Sequence, residues 1–176
     1  MGDTVYIDIG EKKKDLMQLL GEMGDRLVLY INNIVNDEYA SEDISEDCFV
    51  ELIVRKKKFS SEDHLRAYMY KMARNKAYNH VKKSGRENPT DEFPTCSIQQ
   101  DVLTDVLKDE KKAEVYTALS SLPDKYREVL TLIYIDELSY QETAAVMGLS
   151  MKQTDNMVQR AKKSLRERLG GANYEE

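Results

Sequence analysis

Lys152, Asn156, Gln159, Lys163 and Arg166 recur near the C-terminus at spacings of four, three, four and three, which puts them on one face of a helix. Asn and Gln can pair bidentately with adenine, and Arg or Lys with guanine. Asn156, Gln159 and Arg160 therefore carry groups suited to base edges, while Lys152 and Lys163 suit phosphates. A second set lies in the N-terminal half. Lys71, Arg74, Tyr78 and Lys82 follow one another at spacings of three, four and four, with Asn75 among them and Lys56-Lys57-Lys58-Phe59 just before. Lysines hold phosphates and bases stack on aromatic rings, so the pattern suits nucleic acid, although a solvated Lys/Arg face is the ordinary use of such a run.

Each set needs an element to present it. Ser150 with Gln153 has capping-box spacing and opens a helix that buries Thr154, Met157, Val158, Ala161, Leu165 and Leu169. Ser139 with Glu142 repeats the spacing and opens a shorter helix through Ala144, Ala145 and Val146 to Met147, stopped by Gly148. Upstream, Ser121-Leu122-Pro123-Asp124 starts a helix whose buried face is Tyr126, Val129, Leu130 and Ile133 and which ends near Asp136. A short helix, a glycine-containing turn and a longer basic helix form a helix-turn-helix pattern, whose second helix enters the major groove. A helical hairpin in a scaffold is the bland alternative.

In the N-terminal half, Leu16, Leu19 and Leu20, then Leu27, Tyr30, Ile31, Ile34 and Val35, predict an amphipathic start broken near Gly21 and Gly24. A second helix is predicted from Glu42 to about Lys57, burying Ile44, Cys48 and Leu52. A third should open at Ser60 or Ser61 and run to about Lys83, with Leu65, Met69, Met72 and Val81 inside. Residues 1–14 and 170–176 read as frayed ends. Ser84 to Thr95, with its Gly, two Pro and polar turn formers, reads as a linker. The fold class expected is all-α: two small helical domains, 1–84 and 108–170, joined by a flexible acidic linker, 85–107.

Composition agrees with helix and excludes several classes. The 176 residues include only 3 Pro and 8 Gly, no Trp, and abundant Leu, Glu, Lys, Met and Ala. No apolar run approaches the roughly 18–20 residues a membrane span needs, and no signal-peptide core follows the N-terminus, so the expected address is the cytoplasm without direct membrane insertion. Cys48 and Cys96 are too few for a disulfide framework and read as reduced thiols. His64 and His80 stand sixteen residues apart with no partners at ligand spacing, so neither metal nor cofactor is expected. No phosphate-binding glycine loop, nucleophile elbow or other catalytic set is present, and an enzyme is not expected.

The formal net charge of -6 hides strong segregation. From Ala40 to Val54 the acids Glu42, Asp43, Glu46, Asp47 and Glu51 face no base, whereas Arg55 to Arg86 carries eleven bases against Glu62 and Asp63. Glu87 to Glu110 is acidic again, and Met151 to Leu169 basic. Two basic blocks separated by an acidic connector suit a nucleic-acid partner better than the sum suggests.

Leu119 to Leu130, Leu138 to Ala144 and Met147 to Ser150, with Arg160-Ala161 and Leu165, resemble region 4 of the bacterial extracytoplasmic-function sigma factors of the sigma-70 family. Ser41 to Phe49 resembles the acidic core-binding helix of region 2, and Tyr68 to Ala77 its promoter-facing helix. The resemblance runs from about Asp25 to Leu169 in the right order. It implies a protein that binds core RNA polymerase, through its beta-prime clamp helices and beta flap, and directs transcription from promoter DNA. Glu42, Asp43, Glu46, Asp47 and Phe49 would dock on polymerase. Arg55 to Ser61, with Lys57, Lys58 and Phe59, would capture a flipped base of the minus-ten element. Lys71, Arg74, Asn75, Tyr78, Asn79 and Lys82 would face the melting strand. Ser150, Lys152, Gln153, Asn156, Gln159, Arg160 and Lys163 would meet the minus-thirty-five element. An anti-sigma factor is a further partner the resemblance allows. The chain departs from the family at Tyr68, often Trp, at Glu46, where Gln is common, and at Asp155, usually basic or small. Asp155 could accept from a cytosine amino group, orient Arg160, or act as a surface acid favouring the helix's first turn. The alternative to a sigma factor is a stand-alone helix-turn-helix regulator that binds duplex DNA as a dimer.

Overall fold

The computed structural model describes residues 2–85 and 110–170. The acidic linker proposed for 85–107 thus lies almost wholly outside the described residues, as does the C-terminal end beyond Gly170. Contacts divide the chain into two compact units, one built on Met1–Glu87 with Ala145–Gly148, the other on Asn88–Ala144 with Leu149–Glu176. Helix dominates both, as the composition requires.

The first unit opens with an antiparallel hairpin, β1 (Tyr6–Ile9) and β2 (Lys12–Asp15), paired from Tyr6 with Asp15 to Ile9 with Lys12. The residues expected to fray are therefore ordered in part. Ile7 and Ile9 alternate inward, 5% and 8% exposed, and Gly10 makes the turn at a φ of 58° that other residues rarely adopt. Three helices follow: α1 (Leu16–Val35), α2 (Glu38–Arg55) and α3 (Glu62–Lys83). Each begins on a side-chain cap. Asp15 accepts from the Met17 and Gln18 amides, Asp37 from Ala40 and Ser61 from His64. Asn36 and Lys56 end α1 and α2 in the left-handed conformation.

One core joins the three helices. Leu19, Met23, Leu27, Tyr30, Ile31 and Val35 contribute from α1, Cys48, Phe49 and Leu52 from α2, and Leu65, Met69, Tyr70, Ala73 and Ala77 from α3. The Tyr30 and Tyr70 rings meet edge to face at 5.1 Å. Ser41 and Ser45 are also buried, and the Ser41 hydroxyl donates to the Asp37 carbonyl at 2.6 Å and to Asn32 Oδ1 at 3.3 Å, so a polar side chain sits inside without an orphaned donor. Burial takes the Cys48 thiol up to about 12, which leaves it protonated and inert.

Two sequence expectations are corrected here. The break predicted at Gly21 and Gly24 does not occur, because the stripe Leu19, Met23, Leu27, Ile31 is buried along an uninterrupted helix and outweighs a cost of about 1 kcal/mol per glycine. On α3 the buried stripe runs Leu65, Met69, Ala73, Ala77, and Met72 and Val81 are only half-buried.

The later helices are α4 (Glu110–Ser120), α5 (Asp124–Leu130), α6 (Tyr140–Met147) and α7 (Met151–Arg168). Arg127 ties α4 to α5, donating to the Ser120 carbonyl at 3.3 Å and to Asp124 at 2.7 Å. After Leu130 the helix widens into a π-helical turn, Thr131–Ile135. That wider turn shifts the phase, so Leu132 is fully buried and Ile133, the sequence choice, only half so. No helix among the described residues is long and apolar enough to cross a membrane.

Because a methyl group added at Gly21 or Gly24 would meet nothing within 4 Å, Gly21→Ala and Gly24→Ala should each stabilise the chain by about 0.5–1 kcal/mol, seen as a raised Tm. Unchanged or lowered melting would mean that α1 is not continuous through these positions.

Candidate nucleic-acid interface

Ser150 caps α7 reciprocally: its hydroxyl accepts from the Gln153 amide at 3.1 Å, and the Gln153 side-chain oxygen accepts from the Ser150 amide at 2.9 Å. Ser139 and Glu142 repeat the arrangement at the start of α6, at 3.1 and 2.6 Å. Between them Gly148 takes a φ of 68°, and the Leu149 amide donates back to the Ala144 carbonyl at 2.9 Å. The two caps fix where each helix begins, and so which side chains face outward.

On α7, Thr154, Val158 and Ala161 are fully buried, while Lys152, Asn156, Gln159, Arg160, Lys163 and Arg166 are exposed on the far side. Ser150 and Gln153 are also exposed, but their capping oxygens are committed to each other's amides, which leaves the Gln153 amide NH2 for a partner. Asp155 is exposed and forms no ion pair with Arg160 among the described residues. The two stand about 140° apart around the helix, too far to orient one another. On one side of this face, Lys162 holds its ammonium 5.3 Å from the centre of the Tyr134 ring, and its hydrogen bond to Tyr134 is the main cause of its raised pKa.

The second cationic face lies on α3. Lys71, Asn75, Asn79 and Lys82 are exposed and Arg74 and Tyr78 half-exposed, opposite the buried alanines. Arg74, Asn75, Tyr78 and Asn79 line one shallow open pocket, and the Arg74 guanidinium lies 4.7 Å from the Tyr78 ring centre. That contact sets the guanidinium against the ring.

The loop before α3 differs from a plain basic tether. Lys57 and Lys58 are exposed, but Phe59 is 2% exposed, its ring edge-on to His64 at 5.3 Å and to Tyr68 at 5.2 Å. The Lys57 ammonium sits 4.3 Å from the Tyr68 ring centre. Phe59 is therefore the anchor of this loop, and in this conformation it offers its ring to no ligand. The available groups are Lys57, Lys58 and Tyr68.

On α2, Glu42, Asp43, Glu46 and Asp47 are exposed, but Phe49, grouped with them by the resemblance, is 4% exposed and belongs to the bundle core. Asp47 is also partly spent. Lys76 of α3 reaches its carboxylate at 2.6 Å and that of Glu51 at 2.7 Å. These hydrogen bonds raise the Lys76 pKa, and the bond from Lys76 is the largest cause lowering that of Glu51. Sequence reasoning missed three exposed apolar side chains among the acids: Tyr39 at 82%, Val50 at 55% and Val54 at 72%. The signal was present, since Tyr39, Asp43, Glu46, Val50 and Val54 follow at four, three, four and four, away from the Ser45, Cys48 and Leu52 stripe. Apolar side chains inside an acidic rim suit a protein partner more than solvent.

Comparison with known proteins gives two family matches, described as Sigma-70 region 2 over residues 19–87 and Sigma-70, region 4 over residues 112–165. The chain is 27% identical over 140 residues to the ECF RNA polymerase sigma factor SigM of Bacillus subtilis, covering 78% of this chain and 84% of that one. It is 25% identical over 146 residues to the RNA polymerase sigma-H factor of Pseudomonas aeruginosa, covering 77% and 76%. Among solved structures, the sigma factor RpoE in complex with the anti-sigma factor NepR from Bartonella quintana aligns with a TM-score of 0.65 at 21% identity, over 89% of this chain and 98% of that one. CnrH in complex with the cytosolic domain of CnrY aligns with a TM-score of 0.62 at 24% identity, over 90% and 89%.

The Lys76 pair has a defined pH window. The lowered Glu51 pKa adds stability that is present above the ordinary carboxylate range and is lost as pH falls through the folded value. The raised Lys76 pKa adds stability that is present below the ordinary lysine value and is lost only as pH rises through the folded one. Lys76→Met should therefore cost about 0.5–1 kcal/mol in urea unfolding at pH 7, with a smaller difference from wild type at pH 3. A difference independent of pH would show that the lysine acts through packing alone.

Proposed function

We infer that this chain, which belongs to the sigma-70 family through its regions 2 and 4 and is of the extracytoplasmic-function type, is an initiation factor that docks on core RNA polymerase and carries it to promoter DNA. The sigma-factor assignment follows from the family. The division of labour among the surfaces is our reading of the geometry.

The observation that carries this reading is the capped, phase-locked α7, whose buried Thr154, Val158 and Ala161 force Asn156, Gln159, Arg160 and Lys163 outward together. A helix so presented fits the major groove, with Asn156, Gln159 and Arg160 for base edges of the minus-thirty-five element and Lys152 and Lys163 for phosphates. Lys71, Arg74, Asn75, Tyr78, Asn79 and Lys82 of α3, with Lys57 and Lys58, would receive the minus-ten element as it opens. Holding an unstacked base offsets part of a separation cost of a few kcal/mol per base, so binding can drive melting without chemistry by this chain. The face of Glu42, Asp43, Glu46, Val50 and Val54 on α2 is assigned to the polymerase clamp. The domain limits 1–84 and 108–170 follow from the same division, and cytoplasmic action from its polymerase partner. The RpoE structure of like fold was captured with the anti-sigma factor NepR, which makes such a protein a candidate regulator here.

The test is run-off transcription with bacterial core polymerase on genomic fragments, mapping starts that depend on the added chain. Discrete starts sharing upstream elements are expected. Lys152→Glu with Lys163→Glu should abolish them, and Gln159→Ala or Arg160→Ala should cost about 1–3 kcal/mol at the affected base pair while sparing core binding. Chain-dependent starts that survive the double charge reversal would overturn the assignment of α7. An absence of starts, with tight binding of a palindromic duplex by the chain alone, would overturn the proposed division of surfaces.

A further inference from the structure

We propose that the N-terminal hairpin is a working part of the minus-ten surface, with Lys12 and Lys13 contacting the phosphate backbone of the separated strand that the α2–α3 loop receives. This rests on the reading above that the loop faces opened promoter DNA.

The hairpin is fastened to that loop by backbone. The Gly10 amide donates to the Phe59 carbonyl at 2.6 Å, the Phe59 amide donates to the Asp8 carbonyl at 2.9 Å, and Ile9 and Phe59 form a parallel bridge. The middle of the loop is thus held beside β1 by a single-residue bridge at Phe59. Below it the Leu16 amide donates to the Val5 carbonyl at 2.9 Å. Lys14 pairs with Glu62 of α3 at 3.2 Å and with Glu22 of α1, and these bonds raise its pKa against the opposing effect of its partial desolvation. Hairpin tip and loop therefore keep one relative position.

That position places two further cations beside the loop. Lys12 and Lys13 are exposed, have no ion pair among the described residues, and line one open groove with Gly10, Ser60 and Ser61. The acids of the groove are Glu11 and Glu62, and Glu62 is already paired with Lys14. Fastening uses Asp8, Ile9, Gly10 and Lys14, and leaves Lys12 and Lys13 unused. Lys57 and Lys58 are exposed in the same loop just before Phe59, so that loop and the hairpin fastened to it each carry two exposed lysines. Lysine offers a point charge without a base-reading fork, so the ligand chemistry is phosphate, and the neighbouring loop makes it the phosphate of an opened strand.

The experiment uses holoenzyme reconstituted from the full chain and bacterial core polymerase. It is titrated with the minus-ten segment of a promoter mapped by run-off, as single strand and as duplex, across 50–200 mM salt. Lys12→Gln with Lys13→Gln should weaken single-strand binding and lower the slope of log K against log salt by about 1.4, at about 0.7 per phosphate contact. Core affinity and Tm should not change. Wild-type slope and affinity in this variant, while Lys57→Gln with Lys58→Gln loses both, would overturn the hairpin proposal and leave the loop reading standing. Equal losses on duplex and single strand would also overturn it, by moving the contact to unopened DNA. Wild-type holoenzyme that does not bind the single strand would overturn the loop reading itself, and the hairpin proposal with it.

Discussion

The charged faces on the helices of this chain depend on helix phase. Successive residues turn about 100°, so a buried stripe dictates which side chains face outward, and a slip of one residue would carry a charged face most of the way into the core. On α3 the decisive residues are small. Ala73 and Ala77 are fully buried, and their lack of volume lets the helix lie close against its neighbours while Lys71, Arg74, Tyr78 and Lys82 stay outside. On α2, buried Ser41, Ser45 and Cys48 do the same and leave the acids exposed. The two opposite charge faces are then set by one core, and they meet where Lys76 bridges Asp47 and Glu51.

The helix-turn-helix segment fixes phase by different means. Its helices α6 and α7 are short or strongly polar outside, and reciprocal caps specify their first residues. Capping and the left-handed Gly148 are local devices that work over three or four residues. Upstream, the π-helical turn at Thr131–Ile135 absorbs an added residue and brings Leu132 inward. On the proposed function, a face that presents Asn156, Gln159 and Arg160 to base edges gains from being set by bonds this short in range.

Range also explains what could be read in advance. Both capping boxes, the Gly148 turn, the Ser61 start of α3 and the outward side of α7 were legible, because each depends on residues within a turn or two. The hairpin was not, because four-residue strands carry little periodicity and β1 completes its pairing with Phe59, about fifty positions away. Separation along the chain also hid the burial of Phe59 and the pairing of Asp47 with Lys76, which stands 29 positions away. Phe49, which only the resemblance grouped with the docking acids, stands about 100° from Cys48, on the edge of the buried stripe. Gly21 and Gly24 misled because local propensity was weighed without the packing that overrides it.

The charge of -6 does not oppose two cationic faces, and the reason is a matter of length. At physiological ionic strength the Debye length is about 8 Å, less than the roughly 10–12 Å diameter of a single helix with its side chains. Acids on the outer side of α2 are therefore largely screened from whatever meets α3 on its own outer side. Net charge governs the chain at long range, where it is mildly repelled by DNA, and the faces govern it on contact. A protein built this way gains little from searching DNA alone and much from being carried there. On the proposed function, the acidic, apolar-centred face of α2 recruits the carrier, and the basic faces act once the carrier has brought them within a Debye length of the phosphates.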